Sequence, residues 1–352
     1  MKLRNLLAMS MVVATGLTLA SCGGNKVYTG IGYDGSWELG ETGLTGQLDL
    51  TAAFAAFDSK GVIVDARIDV VQVKVATDVE SLLGSDPAGV KLTNANIVDN
   101  SITTKLELGK NYNMVTFGNA IAEVDAQIEA FADWTVGKTV EEVKSLVAKD
   151  HGYGVAPHAD LASSVTIVCH NFVNALESAY ENRSEKAYKV SKEAKAGIAM
   201  VSGLAYNYGK PQTDISVDVA GVLVDGGKVV AAEVDAIVYP LSVSKEITSA
   251  GKISVNTSKY YFQNNELTSK NTLGDKYAMA ERNGGQAGCT LEWFEQAEVI
   301  EAAAIEKSAT EISALVGGEG DLATATITLT NYVKALAKAA KYAEMEHVGP
   351  QA

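Results

Sequence analysis

Two stretches of small and hydroxyl residues each run into an apolar-periodic segment. One is Asp160-Leu161-Ala162-Ser163-Ser164-Val165-Thr166, the other Asp321-Leu322-Ala323-Thr324-Ala325-Thr326. At a helix start such residues leave backbone N–H groups free, and those groups favour a phosphate. A threonine hydroxyl there is also a point where a phosphoester can form. Serine and threonine are equally the ordinary caps of helices, so a plain structural role stays open. There is no Walker loop, nucleophile elbow or His-Glu-x-x-His run. His151 and His158 flank Gly152-Tyr153-Gly154 without metal-ligand company. Neither a catalytic constellation nor a metal site is expected.

The elements that must position these stretches recur along the chain. Asp58–Asp69 reads as strand, turn, strand, and so does Asp225–Asp235, each a turn cluster followed by β-branched residues. Thr103–Met114 matches Thr268–Met279, both keeping Leu-Gly-x-x-Tyr-x-Met. Ile128–Leu146 matches Ala297–Leu315, each an amphipathic helix, a break and a second helix start. Thr139 with Glu142, and Ser308 with Glu311, have capping-box spacing. Thr166–Leu176 matches Thr326–Leu336 around Asn-[Phe/Tyr]-Val-x-Ala-Leu. Four matched blocks in one order predict an α+β fold built by tandem duplication. Each unit would run hairpin, irregular Gly-Tyr-Met segment, two helices, loop, threonine-led helix. The units are expected at 31–183 and 197–346, with a linker at 184–196 and a tail at 347–352. Lys186, Lys189, Lys192 and Lys195 recur in that linker and read as a solvated stretch or an exposed helix stripe.

The chain has 352 residues, about two domains' worth. At 47% apolar and 20% charged it is globular, and its formal charge of −14 argues against nucleic acid and anionic lipid as electrostatic partners. Residues 1–21 read as a signal peptide: Lys2 and Arg4, an apolar run from Leu6 to Ala20, then Leu19-Ala20-Ser21-Cys22. Small residues before a cysteine match the bacterial lipoprotein box. Cys22 is therefore expected to carry a diacylglyceryl group and Cys22–Gly30 to form a tether. Two acyl chains suffice for stable anchoring, on the outer face of the cell membrane. Cys169 and Cys289 then remain outside the cytosol, where a disulfide is permitted but not demanded.

The run Asp-Leu-Ala-Ser-Ser-Val-Thr at 160–166 resembles the flavinylation motif of FMN-binding domains, Asp-x-x-Ser-Gly-Ala-Thr. With the lipobox, both units and the Leu-Gly-x-x-Tyr-x-Met segments, nearly the full length resembles the peptide-pheromone-encoding FMN lipoproteins of Gram-positive extracellular electron transfer. The resemblance makes Thr166 the first FMN-bearing residue, with Asp160 six positions before it and Ser163 at the motif serine. Ser164 and Val165 stand where Gly-Ala is usual. Thr326 aligns with Thr166, its Asp321 lies five positions back, and Thr324 stays open beside it. Two covalent FMN groups per chain are implied. So are an FAD-using flavin transferase, a membrane dehydrogenase as electron donor, and soluble or insoluble extracellular acceptors. The flavin would carry the redox chemistry, making the chain an electron carrier more than an enzyme with its own substrate.

Tyr112, Met114, Tyr277 and Met279 would suit a flavin ring or an ordinary core. Trp134 and Trp293 read as core residues, His170 as a helix histidine and Cys169 as a structural thiol. A solute-binding or adhesion lipoprotein without cofactor fits the lipobox, acidity and duplication equally well, and only the threonine motifs separate the two. The signal peptide is itself apolar enough to yield a secreted peptide signal, as the resembled family's name implies.

Overall fold

The computed structural model describes residues 25–39, 45–77, 90–93, 97–98, 101–146, 148–150, 154–156, 161–207, 212–243, 255–257, 262–263, 266–282, 289–317, 322 and 325–351. Its strands in the first half are β1 (Asn25–Leu39), β2 (Thr45–Phe57), β3 (Ile63–Thr77), β4 (Val90–Leu92), β5 (Ile97–Val98), β6 (Ser101–Ile102), β7 (Ala148–Asp150) and β8 (Gly154–Ala156). The later strands are β9 (Tyr188–Val190), β10 (Lys195–Asn207), β11 (Gln212–Asp225), β12 (Lys228–Val243), β13 (Val255–Thr257), β14 (Phe262–Gln263) and β15 (Glu266–Leu267). The helices are α1 (Lys105–Leu108), α2 (Met114–Gly118), α3 (Val124–Thr135), α4 (Val140–Leu146), α5 (His170–Glu181), α6 (Lys270–Leu273), α7 (Met279–Arg282), α8 (Trp293–Ala304), α9 (Ala309–Ser313) and α10 (Thr330–Ala343).

Mixed α+β architecture is what the sequence predicts, and two large antiparallel sheets carry it. One has the order β4-β3-β2-β1-β9, the other β13-β12-β11-β10-β6-β5. Their inner faces pack on each other. Leu48, Leu50 and Phe54 from one sheet share a core with Ile198, Val217 and Val219 from the other. The outer face of the first sheet is covered by α3, α4 and α5, with Ala53, Ala55 and Phe57 meeting Ile128, Phe131 and Leu176. The second sheet is covered in the same way by α8, α9 and α10. Both faces of each central strand are thus buried, which is why β2 reads as a near-continuous apolar run rather than an alternating one. Among the described residues no helix is long and apolar enough to cross a membrane.

The two halves interlock. β9 pairs with β1 (Lys26 opposite Lys189), while β6 pairs with β10 (Ile102 opposite Ser202). Carboxylates span the layers: Glu233 accepts from Thr29 Oγ1 at 2.5 Å and Ile31 N at 3.1 Å, and Asp65 accepts from Ala196 N at 2.8 Å. The C-terminal segment returns to the first half. Arg67 donates to Met345 O, Lys110 N to Pro350 O, and His347 Nδ1 lies 2.6 Å from Glu129.

Several local expectations meet their structure here. The two hairpins are β2–β3 and β11–β12. Thr139 with Glu142, and Ser308 with Glu311, close as capping boxes. The Leu-Gly-x-x-Tyr-x-Met segments are ordered rather than irregular: a short helix, a 3₁₀ turn (Gly109–Tyr112 or Gly274–Tyr277), then another short helix. Gly109 (φ 48°, ψ −131°) and Gly274 (φ 50°, ψ −130°) adopt a positive-φ backbone that side-chain-bearing residues rarely take, which accounts for the Leu-Gly pair; at Gly109 a Cβ would also meet Pro350 O at 2.6 Å. Within 184–196 the chain forms strand β9 rather than a helix, because β1 offers an unpaired edge; the four lysines there are exposed.

Candidate functional site

Thr166 does not start a helix. Helix α5 begins four residues later, at His170, and its flanking Cys169 makes no side-chain cap; Thr326 stands in the same relation to α10, which begins at Thr330. The expected phosphate-binding helix start is therefore replaced by another device. A glutamine on α3 takes the N–H groups that a helix start would leave free. Gln127 Oε1 accepts from Thr166 N at 2.7 Å, Thr166 Oγ1 at 3.2 Å and Ile167 N at 3.2 Å. In the second half Gln296 Oε1 accepts from Thr326 N at 2.7 Å, Thr326 Oγ1 at 3.2 Å and Ile327 N at 3.1 Å.

Each glutamine is fixed at its other end too. Gln127 Nε2 donates to Ala122 O at 2.8 Å and lies 3.6 Å from Met114 Sδ. Gln296 Nε2 donates to Leu291 O at 3.1 Å and lies 3.7 Å from Met279 Sδ and 3.5 Å from Cys289 Sγ. The methionines are held in turn. Met114 N and Val115 N donate to Glu123, and Met279 N and Ala280 N to Glu292, with the shorter bond 2.7 Å in both. The threonine turns are pinned from inside by buried Leu161 and Val165 in one half and buried Leu322 in the other.

Both threonines are exposed, and each lies on the lining of a cleft. The first cleft, about 610 Å³, is bounded by Lys105, Met114, Ile121, Thr166, Asn171 and Phe172. The second, about 520 Å³, is bounded by Lys270, Tyr277, Met279, Trp293, Thr326 and Asn331. Both volumes fall within the ~300–1,000 Å³ usual for small-molecule sites. Lys105 Nζ lies 5.3 Å above the Tyr112 ring, and Lys270 Nζ 5.5 Å above Tyr277. The backbone under these lysines rests on buried aspartates. Asp69 accepts from Leu106 N at 3.2 Å and Asp235 from Asn271 N at 3.0 Å; burial pushes their carboxyls up to about 7 and about 6.

Of the residues singled out in the sequence, Met114, Tyr277, Met279, Thr166 and Thr326 line the two clefts, while Tyr112 stands behind Lys105. Ser163 is exposed, and Ser164 spends its hydroxyl on Leu161 O at 3.2 Å. Asp160, Asp321, Thr324, His151, His158 and Cys22 lie outside the described residues. Trp293 is buried against Tyr332, ring centroids 5.8 Å apart. Cys169 and Cys289 are buried, unpaired thiols, and burial pushes Cys169 up to about 12. Among the described residues no cluster of His, Cys, Asp and Glu could hold a metal ion.

Gln127, Gln296, Glu123, Glu292, Lys105 and Lys270 were not singled out in the sequence. A signal was there: the matched blocks Ile128–Leu146 and Ala297–Leu315, extended back by five residues, both gain Glu-x-x-x-Gln. No family model matches this chain, and neither does any curated protein or solved structure.

Proposed function

We propose that this chain is a lipid-anchored surface flavoprotein of two tandemly duplicated α+β units. FMN would be esterified to Thr166 and Thr326, and the protein would pass electrons from a membrane dehydrogenase to extracellular acceptors. The observation that carries this reading is the recurrence, in both halves, of an exposed threonine on the lip of a cleft lined by a methionine and a lysine.

The residues present fit a phosphoester-linked flavin. Met114, Ile121 and Phe172 on one side, and Tyr277, Met279 and Trp293 on the other, offer flat or polarizable contacts suited to an isoalloxazine ring. Lys105 and Lys270 bring a positive charge to each cleft, facing one carboxylate in each lining, Asp49 in the first and Asp218 in the second. When bound, the flavin supplies one- and two-electron redox chemistry. The protein's own part is to hold it, exclude water from one ring face and fix its orientation. A covalent link suits this location, since a dissociable cofactor outside the cell is lost by dilution. Cys22, through its two acyl chains, would keep the assembly at the membrane despite its acidity.

Intact mass and visible spectra of the mature chain, co-expressed with an FAD-dependent flavin transferase, test this. Two FMN adducts are expected, one in Thr166→Ala and none in Thr166→Ala/Thr326→Ala. An adduct persisting on the second unit of the double variant would move that site to Thr324. A colourless protein of unmodified mass overturns the reading.

A further inference from the structure

We infer that Gln127 and Gln296 are positioning residues that keep the two threonine hydroxyls available for modification. The inference rests on the flavoprotein reading above and adds what that reading leaves open: why these threonines, among many, are acceptors.

A buried amide is costly unless both of its ends are bonded. Gln127 and Gln296 are 0% and 1% exposed, and both ends are satisfied. All three donors to each oxygen come from one threonine and the residue after it. This has a chemical consequence. A threonine that caps a helix accepts a backbone N–H and so spends an oxygen lone pair. Here the glutamine oxygen takes the backbone N–H groups, and the hydroxyl acts as donor to the same oxygen. Among the described residues no group donates to Thr166 Oγ1 or Thr326 Oγ1, on side chains exposed at a cleft lip. The flanking residues differ between the halves, Ala122 against Leu291 and with Cys289 in one alone, yet matching distances from Thr and Ile to the glutamine agree within 0.1 Å.

The step served is a phosphoryl transfer with no change of oxidation state. Thr166 Oγ1 attacks the flavin-side phosphorus of FAD and a new O–P bond forms. The bond between that phosphorus and the bridging oxygen breaks, AMP leaves with the electron pair, and the hydroxyl proton passes to a base of the transferase. The hydroxyl's bond to Gln127 ends with that proton's departure. The two N–H bonds remain and hold the turn.

The test uses the Thr326→Ala background, so that only the first site counts. Gln127→Met keeps the length and removes the acceptor; Gln127→Glu restores an acceptor oxygen. Attachment kinetics by intact mass should show Gln127→Met lowering the transferase kcat by about 30-fold or more with KM within about 3-fold. Gln127→Glu should recover to within about 5-fold of the parent. Hydrogen exchange at the Thr166 and Ile167 amides should speed up in Gln127→Met and stay slow in Gln127→Glu. The mirror variant Gln296→Met, in Thr166→Ala, repeats the measurement if the first fails to fold. Unchanged attachment in the Met variants overturns the inference, as does equal slowing in Met and Glu variants that tracks their loss of Tm. An unmodified Thr326→Ala parent would instead overturn Thr166 as an attachment point, and an unmodified chain with both threonines the flavoprotein reading itself.

Discussion

Replacing Gly32 by alanine should cost more stability than its one methyl group implies. Gly32 lies on β1 opposite Ala53, directly under α5. A Cβ there would stand 1.9 Å from Ala179 N and 2.2 Å from Ala175 O, both backbone atoms of that helix. Ordinary contact begins near 3.4 Å, so helix and strand must separate by roughly 1.5 Å. Backbone atoms have no rotamer to escape into, and the helix has to move as a body. That lifts Ala175, Leu176 and Ala179, all 0% exposed, off the sheet and loosens the Phe57–Tyr180 edge contact at 5.2 Å. Overpacking alone costs ~1–3 kcal/mol, and the lost contacts put the sum near the top of that range, about 3 kcal/mol. Urea unfolding followed by circular dichroism reads this directly. Gly118→Ala serves as control, since its Cβ would meet nothing closer than Met114 Cγ at 3.7 Å; it should be neutral or slightly stabilising. Because the clash is with backbone, Ala179→Gly should not rescue Gly32→Ala. A Gly32→Ala protein within ~0.5 kcal/mol of the parent, or a rescue by Ala179→Gly, would refute the close-approach reasoning.

Stability should fall as pH rises from 5 to 8. Burial lifts Asp235 to about 6, Asp69 and Glu233 to about 7 and Glu301 to about 8, so the folded chain holds protons that the unfolded chain has released. Their contribution is complete below the ordinary carboxylate range and is lost as pH rises from there through the folded values of 6–8, at up to roughly 1.4 kcal/mol per pH unit for each titrating group. Urea midpoints at pH 5.5 and 8 measure it, Glu301→Gln should flatten the slope, and equal or greater stability at pH 8 counts against it. Deleting residues 345–351 should lower Tm by several degrees. It removes the His347–Glu129 contact and the Gln351–Asp125 bond at 3.1 Å, and leaves Glu129 buried beside Arg67, a loss of roughly 2 kcal/mol. Unchanged thermal unfolding of the shortened chain would show the tail to be idle.

What was legible in the sequence depended on how far along the chain the deciding partner lies. The capping boxes at Thr139 and Ser308 form as read because donor and acceptor are three residues apart. The hairpins form as read because the turn clusters Asp58–Gly61 and Asp225–Gly227 sit between the strands they join. Residues 184–196 are different. Their lysine spacing says solvated, and the side chains are, but the strand at Tyr188–Val190 exists because β1, more than 150 residues earlier, presents an edge. The threonine stretches fail as helix starts for the same kind of reason. Local composition places Thr166 at a cap, and Gln127, 39 residues back, takes over the N–H groups that would have made it one. The residues around a threonine therefore say little about what its hydroxyl does. Had Thr166 been the cap that its neighbours imply, its oxygen would accept from the helix; instead the glutamine on α3 takes the N–H groups of Thr166 and Ile167, and the hydroxyl donates to the same oxygen.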